Sequence, residues 1–237
     1  TEVDGVLSIG ATVPLSDLEA HTTASHPPMA RMLRFFGARQ IKHRATLGGN
    51  ICNASPIGDT PPVLLAHGAT VIALSRAGER RIPIDDFFTG YRQTALAKGE
   101  VVARVELPLV PEGARAAAYK VSKRRELDIS AVAAAYVVTT DDAGVVTSAR
   151  IAYGGMAATP MRASRAEAAL VGQPWSAATV STAAAALAND FTPMDDHRGS
   201  AWYRATVARN LLIGFYEETV TERTPALPDR PSATVLA

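Results

Sequence analysis

The most informative segment of the chain reads Ala45-Thr46-Leu47-Gly48-Gly49-Asn50-Ile51-Cys52-Asn53-Ala54-Ser55-Pro56-Ile57-Gly58-Asp59. Adjacent glycines permit positive φ angles and a close approach of the backbone to a ligand. Successive backbone N–H groups in such a turn can bind an anion. The hydroxyl and amide side chains add donors, and Asp59 adds an acceptor for a hydroxyl or a ring N–H. The segment therefore predicts a cradle for a polar, phosphate-bearing cofactor.

A second interpretation of the same segment is structural: a loop of Asn, Ser and Gly residues that satisfies its own backbone. Neither common nucleotide-binding fingerprint is present, because no lysine follows the glycines as in a P-loop and the spacing is not G-x-G-x-x-G. Composition alone favours this structural interpretation, so the choice between the two depends on the rest of the chain.

The composition is that of a globular protein of 237 residues, long enough to bury a core without a disulfide or a structural metal. Lys and Arg number 24 against 23 Asp and Glu, and the resulting net charge of +1 disfavours general nucleic-acid binding. The single cysteine, Cys52, excludes an internal disulfide, a cysteine-based zinc site and a self-contained iron–sulfur cluster. No apolar run is long enough to cross a membrane, and a free thiol without a signal peptide predicts a cytoplasmic protein.

The chain is predicted to carry no catalytic residue and no metal site of its own. Its five histidines are scattered without metal-ligand spacing, and Ser55 belongs to no hydrolase motif. Cys52 is expected to be a small buried residue rather than a redox-active thiol. A basic run has two interpretations, a solvated face or a charged lip beside a cofactor; it consists of Lys120, Lys123, Arg124 and Arg125.

Hydrophobic patterning predicts an α+β protein whose domains divide at the Pro- and Gly-containing stretch 108–113. Residues 1–110 are expected to form one domain, with a mixed sheet and short helices. Residues 111–222 are expected to form a second domain, in which a three-stranded antiparallel sheet is backed by helices. Residues 223–237 are expected to be a proline-rich extended tail.

Local patterns make three more predictions in the first domain. Residues 48–62, crowded with Gly, Asn and Pro, are expected to be loop. The preceding residues predict a helix ending at Gly37, because Met29, Met32, Leu33 and Phe36 have the i, i+3, i+4, i+7 spacing of one helical face. Residues 6–11 already read as a strand, from which we expect a further segment upstream or in another chain.

Several blocks of the chain resemble the flavin-binding domain of the molybdenum hydroxylases, and most closely the bacterial xanthine dehydrogenase branch. The most specific is the segment 45–59; the supporting blocks are 35–41, 119–125, 128–132, 152–156 and 196–204. The resemblance implies the second lobe of a PCMH-type FAD-binding domain, followed by a domain like the CO dehydrogenase flavoprotein C-terminal domain. The family has another Gly-rich phosphate loop in an upstream lobe, so this chain by itself is expected to hold only half of the flavin site.

The same resemblance implies a function for the chain. In this family, electrons pass from a molybdopterin cofactor through two [2Fe–2S] clusters to FAD, and the reduced flavin passes hydride to NAD. The implied partners are a molybdopterin-binding subunit, a [2Fe–2S] domain or subunit, the upstream FAD-binding lobe and NAD, in a hetero-oligomer. Neither nucleic acid nor a membrane is implied. An alternative is a non-catalytic assembly module that docks the cluster and molybdenum subunits.

Matching positions imply ten flavin contacts: Phe36, Ala45, Thr46, Leu47, Gly48, Gly49, Asn50, Asp59, Val102 and Lys120. The segment 45–49 would lie along the flavin and its phosphate-ribityl chain. Phe36 would stack near the isoalloxazine ring, for which packing in the core is the alternative. Lys120 would lie near the pyrimidine end, where a cation stabilises the negative charge of the reduced flavin.

Overall fold

The first half of the protein is a five-stranded sheet with helices packed on one face. The structure is a computed structural model that describes residues 1–124 and 127–221. In chain order its first elements are β1 (Glu2–Val3), β2 (Val6–Gly10), α1 (Leu15–Ser25), α2 (Pro27–Arg34), α3 (Arg39–Lys42), α4 (Leu47–Cys52), α5 (Thr60–Ala66), β3 (Thr70–Ser75), β4 (Gly78–Pro83), α6 (Ile84–Phe87), β5 (Phe88–Gly90), β6 (Gln93–Thr94) and β7 (Val101–Pro108).

The strands of the large sheet are ordered β1-β2-β7-β3-β4, and every pair is antiparallel. The expectation of a mixed sheet was therefore wrong. β7 lies between β2 and β3 and runs opposite to both, so that Val105 faces Ile9 on one side and Val71 on the other. These three side chains are buried, whereas the opposite face carries cross-strand ion pairs such as Arg104–Glu79.

The expected loop over residues 48–62 contains helical turns instead. α4 forms despite its two glycines because the Thr46 hydroxyl caps it, accepting from the Gly49 N–H at 3.1 Å. α5 begins at Thr60 with prolines in its first turn, where a missing N–H costs nothing. The helix expected to end at Gly37 ends at Arg34, which leaves Phe36 outside it.

The second half is another antiparallel sheet, covered by helices. Its elements are β8 (Arg115–Val121), β9 (Val132–Thr140), β10 (Val146–Gly154), β11 (Met161–Arg162), α7 (Ser164–Leu170), α8 (Ala177–Asp190) and α9 (Ala201–Val220). The three predicted strands are β8 to β10, and the two-residue β11 adds a fourth beside β10, so the sheet order is β11-β10-β9-β8. The predicted three-stranded sheet lacked β11, because a strand of two residues is too short to show an alternation of apolar and polar side chains.

β9 is buried on both faces and joins the two halves of the protein. Ala133, Ala135 and Val137 belong to the core of the first half, while Val132 and Tyr136 belong to the core beneath the later helices. An apolar interface therefore connects the two sheets. The boundary at residues 110/111 stays a prediction, and the tail predicted at 223–237 lies outside the described residues.

Two buried histidines pack ring against ring within the first half. The His26 Nδ1 atom accepts the Met29 N–H and so caps α2, and its ring centroid lies 4.2 Å from that of His67. Burial lowers the pKa of His26 to about 4. Burial, together with the charges of His26 and Arg150, lowers the pKa of His67 to about 2. Both rings are therefore neutral in the folded protein near pH 7.

Candidate functional site

The segment 45–49 forms a turn that crosses the end of β2. The Ala45 carbonyl accepts the Leu15 N–H at 2.8 Å, and the Gly48 N–H donates to the Ala11 carbonyl at 2.9 Å. The Leu47 side chain is buried in the first core, so only its backbone is placed to face a ligand. Backbone bonds on both sides thus hold the turn rigid.

The two glycines of the turn have different roles. A Cβ atom at Gly48 would lie 2.7 Å from the Ala11 Cβ and 2.8 Å from the Ala11 carbonyl oxygen, so this glycine is required for packing. Gly49 is exposed. A Cβ atom there would meet only the Thr46 hydroxyl within 4 Å, at 3.1 Å. Gly49 therefore presents bare backbone to open space beside a helix cap, as close approach of a ligand requires.

Val102 lies beside this turn. The Ala11 N–H donates to the Ala103 carbonyl at 2.9 Å, which links the turn through Ala11 to β7 one residue after Val102. The Val102 side chain is half-buried against the first core. Ala11 thus links Gly48 of the turn to the strand residue that follows Val102, and the flavin contact of Val102 stays a prediction.

Asn50 connects the turn to the end of the segment. Its Oδ1 atom accepts the Thr60 hydroxyl at 2.6 Å, and Thr60 directly follows Asp59. Asn50 thus helps to join α4 to the start of α5.

Asp59 and Lys120 form a buried ion pair. The Lys120 Nζ atom donates to Asp59 Oδ2 at 2.7 Å, and the exposed fractions of the two side chains are 3% and 7%. The Ser130 hydroxyl donates to the other carboxylate oxygen at 2.6 Å. Asp59, expected as an acceptor for a ligand, here accepts from two groups of the protein itself. Lys120 keeps two further N–H donors and is held at a defined place.

Phe36 is half-buried against the first core. Among the described residues, no hydrogen bond or ring contact joins it to the turn at 45–49. Its stacking on a flavin stays a prediction, as does the flavin-binding role of the other nine residues.

The basic run divides into an inner and an outer part. Lys120 points inward to Asp59, whereas the Lys123 Nζ atom donates to the His197 carbonyl at 2.6 Å. The Arg124 side chain is 69% exposed. A cavity of about 410 Å³ lies beneath this outer part, between Lys123 and the turn 196–199. Arg125 lies outside the described residues.

Cys52 is exposed at the end of α4, so the expectation of a buried residue was wrong. Burial of part of its surface still raises the pKa of its thiol. Within residues 1–124 and 127–221, no group of three or more His, Cys, Asp or Glu side chains is placed to hold a metal ion. In the same ranges, no helix has the length and apolar character needed to cross a membrane.

Sequence reasoning missed two residues that hold the site together, Ser130 and Arg204. Ser130 was seen only as part of a resembling block, because its partner Asp59 lies 71 residues away in sequence. Arg204 belongs to the resembling block 196–204, where it suggested only a helix cap and salt-bridge cluster; it does pair with Asp196, but it is 1% exposed. An arginine in the amphipathic pattern of α9 gave no signal of burial.

The arrangement offers two groups that could contact a cofactor. An exposed glycine backbone lies next to a helix cap, and the Lys120 ammonium is paired with Asp59, the last residue of the segment 45–59. The first suits a close approach of polar ligand atoms, and the second suits an electron-accepting ring that becomes negative.

Comparison with known proteins identifies both halves of the chain. Residues 1–110 match the family model described as the FAD binding domain in molybdopterin dehydrogenase. Residues 117–219 match the CO dehydrogenase flavoprotein C-terminal domain. The fold class implied by the resemblance, a flavin-binding domain followed by this second domain, is therefore confirmed.

Three similar proteins differ in their names and in how much of their length this chain covers. Xanthine dehydrogenase of Emericella nidulans is 36% identical over 233 residues, which cover 92% of this chain and 17% of that protein. The glyceraldehyde dehydrogenase medium chain of Sulfolobus acidocaldarius is 33% identical over 221 residues, which cover 92% of this chain and 77% of that one. The structure of carbon monoxide dehydrogenase from Hydrogenophaga pseudoflava matches with a TM-score of 0.85 at 30% identity, over 90% of this chain and 75% of that one. The chain thus spans a small part of the first relative and most of the other two.

Proposed function

The chain belongs to the flavoprotein family of the molybdopterin-dependent dehydrogenases, and we propose that it holds FAD against the segment 45–59 as the electron-output part of a xanthine dehydrogenase-like complex. The observation that carries the proposal is the pairing of an exposed, capped glycine turn with the buried Lys120 cation. The bound FAD would take two electrons from an iron–sulfur partner, with protons from solvent, and transfer them as hydride to NAD⁺.

The chain's own residues would bind and tune the cofactor. Gly49 lets the backbone approach the flavin, while Thr46 and Gly48 fix the turn that carries it. Lys120 would donate to the pyrimidine end of the ring, and Asp59 with Ser130 prevents its Nζ atom from moving away. A preorganised cation lowers the energy of negative charge without reorganisation at the moment of electron transfer.

The remaining parts of the proposal concern partners. Relatives named as xanthine dehydrogenase and as the medium chain of glyceraldehyde dehydrogenase support a complex in which other subunits or domains carry molybdopterin and [2Fe–2S] clusters. These names differ in substrate, which is consistent with a substrate site outside this chain. An exposed free thiol at Cys52 suits a reducing compartment, so the proposal includes the cytoplasm.

The FAD site is tested by one added methyl group. Gly49→Ala in the assembled complex places a Cβ atom where the flavin would approach, and we expect it to weaken FAD binding at least about tenfold, or about 1.4 kcal/mol. Gly214→Ala is the matched control, because Gly214 is also helical and a Cβ atom there meets nothing within 4 Å. It should bind FAD as the unchanged complex does.

Two outcomes contradict the proposal. If Gly49→Ala binds FAD as tightly as the control does, the cofactor does not lie against the turn. If the purified unchanged complex contains no flavin and binds none, the chain is the assembly module of the alternative hypothesis.

The acceptor is tested at the outer part of the basic run. Arg124, with 69% of its side chain exposed, is available to a phosphate of NAD, so Arg124→Ala should raise the KM for NAD severalfold and leave FAD content unchanged. Absorbance of the bound flavin, bleached by the substrate of the complex and restored by NAD, is the assay. An unchanged KM removes this role from Arg124, and a flavin that only oxygen restores contradicts NAD as the acceptor.

A further inference from the structure

Arg204, on α9, is buried beneath the candidate flavin site. Its side chain is 2% exposed, and its Nη2 atom donates to Asp196 Oδ1 at 2.6 Å. Its Nη1 atom donates to two backbone carbonyls, those of Ala131 and Gly155, the second at 3.1 Å. A charged side chain this deep is usually paired, and here the two Nη atoms are hydrogen-bonded, whereas the buried Nε atom has no hydrogen-bond partner among the described residues. The guanidinium is therefore committed to these backbone segments.

Gly155 shows how closely the three groups converge. Its φ angle is +83°, and a Cβ atom there would overlap the Ala131 carbonyl oxygen and lie 3.0 Å from Arg204 Nη1. Only glycine fits this position without displacing one of them. The contact of Arg204 with Ala131 and Gly155, called the junction below, is thus a closely packed interior contact rather than a surface ion pair.

The junction is linked to three segments next to the Asp59–Lys120 pair. Ala131 follows Ser130, whose hydroxyl donates to Asp59. The Ala131 N–H donates at 2.8 Å to the carbonyl of Val121, the residue after Lys120. The Gly155 N–H donates at 2.8 Å to the carbonyl of Pro56, in the loop that leads to Asp59.

We propose that Arg204 is a positioning residue of the flavin site: by holding the Ala131 carbonyl it fixes Ser130, and through Ser130 it fixes the Asp59–Lys120 pair against the cofactor. The inference rests on the proposed function, since it concerns the placement of the cation that the flavin would meet. Asp196 orients the guanidinium and also lines the cavity beneath Lys123. The helix α9 thereby acts on the cofactor site without touching the cofactor.

The test compares Arg204→Met with Arg204→Lys in the assembled complex. Arg150→Met is the matched control, because Arg150 also donates to a backbone carbonyl, that of Leu65, and to a carboxylate, that of Asp85, without contact to the pair. Three quantities are measured: the acetylation rate of Lys120 in the flavin-free complex by mass spectrometry, the Kd for FAD, and the midpoint potential of the bound flavin.

Arg204→Met is expected to raise the acetylation rate of Lys120 and the Kd for FAD at least about tenfold each, because the amine is no longer held on Asp59. The midpoint potential should fall, since the cation no longer stabilises the reduced flavin. Arg204→Lys should recover part of each change, as one ammonium can still donate to the Ala131 carbonyl. Arg150→Met should lose stability and leave all three quantities unchanged.

The inference is overturned if Arg204→Met folds with the Lys120 acetylation rate and potential of the unchanged complex, or if Arg150→Met changes them equally. Should Arg204→Met fail to assemble, Asp196→Ala, which removes the acceptor of the Nη2 atom, takes its place: faster Lys120 acetylation supports the inference, and an unchanged rate overturns it. An unchanged complex that binds no FAD defeats the proposed function, and the inference with it. If the Arg204→Met complex binds FAD with the Kd of the unchanged complex, this inference is overturned and the proposed function stands.

Discussion

Removal of the Lys120 charge alone should destabilise the protein far more than removal of the Lys120 and Asp59 charges together. The perturbation is Lys120→Met, which leaves the Asp59 carboxylate buried with only the Ser130 hydroxyl to balance it. Asp59→Asn is the reverse change, and the double variant removes both charges while an amide remains for Ser130. The free energies of unfolding of the unchanged protein, the two single variants and the double variant form a double-mutant cycle.

The magnitude follows from the burial of the pair. With exposed fractions of 3% and 7% and a separation of 2.7 Å, the pair is in the interior. Breaking a buried pair on one side costs about 3–5 kcal/mol, whereas replacing both partners costs far less. We therefore expect each single variant to lose about 3–5 kcal/mol, and the double variant to lose less than either.

Urea unfolding of the flavin-free protein gives the free energies directly. The control is the cycle at Arg104 and Glu79, a pair of similar length on the exposed sheet face, in which solvent screening leaves the coupling small. Losses at Lys120 and Asp59 that simply add in the double variant would refute the buried coupling, and with it the fixed position of the cation.

Two further predictions concern stability. His26 and His67 have pKa values of about 4 and about 2 in the folded protein, below the ordinary 6.5, so the unfolded chain binds protons first as the pH falls. Each histidine should therefore remove about 2 kcal/mol from the free energy of unfolding between pH 7 and pH 5, and His67→Phe should roughly halve the total loss. A free energy of unfolding, measured in urea, that does not change between these pH values would contradict this prediction. Gly48→Ala should lower the same free energy by about 1–3 kcal/mol, because its Cβ would lie 2.7 Å from that of Ala11, and a neutral effect would show that the turn is loosely packed.

The parts of the fold that the sequence predicts well are those with a local signal. β9 and β10 follow from hydrophobic runs flanking the turn at Asp141–Gly144, where the Asp141 carboxylate accepts two backbone N–H groups. α9 coincides with the helical pattern of residues 201–219, and the structure shows that the Ser200 side chain caps it. Local patterns of this kind need no knowledge of distant contacts.

The parts that the sequence does not predict depend on long-range partners. α4 has a glycine pair that argues against a helix, and its stability depends on the Thr46 cap and on the packing of Gly48 against Ala11. Likewise, the candidate cofactor turn was found through resemblance. Its support by Ser130 and Arg204 was not found, because hydrogen bonds across 71 and 73 residues leave no periodic trace.

An electron-density or cryo-EM map of the assembled complex in its oxidised state would show directly where FAD lies. We predict FAD lying along the backbone of residues 45–49, with its pyrimidine end within hydrogen-bonding distance of the Lys120 Nζ atom. A map in which Gly49 faces solvent while FAD is absent or bound elsewhere would contradict a flavin site at this turn.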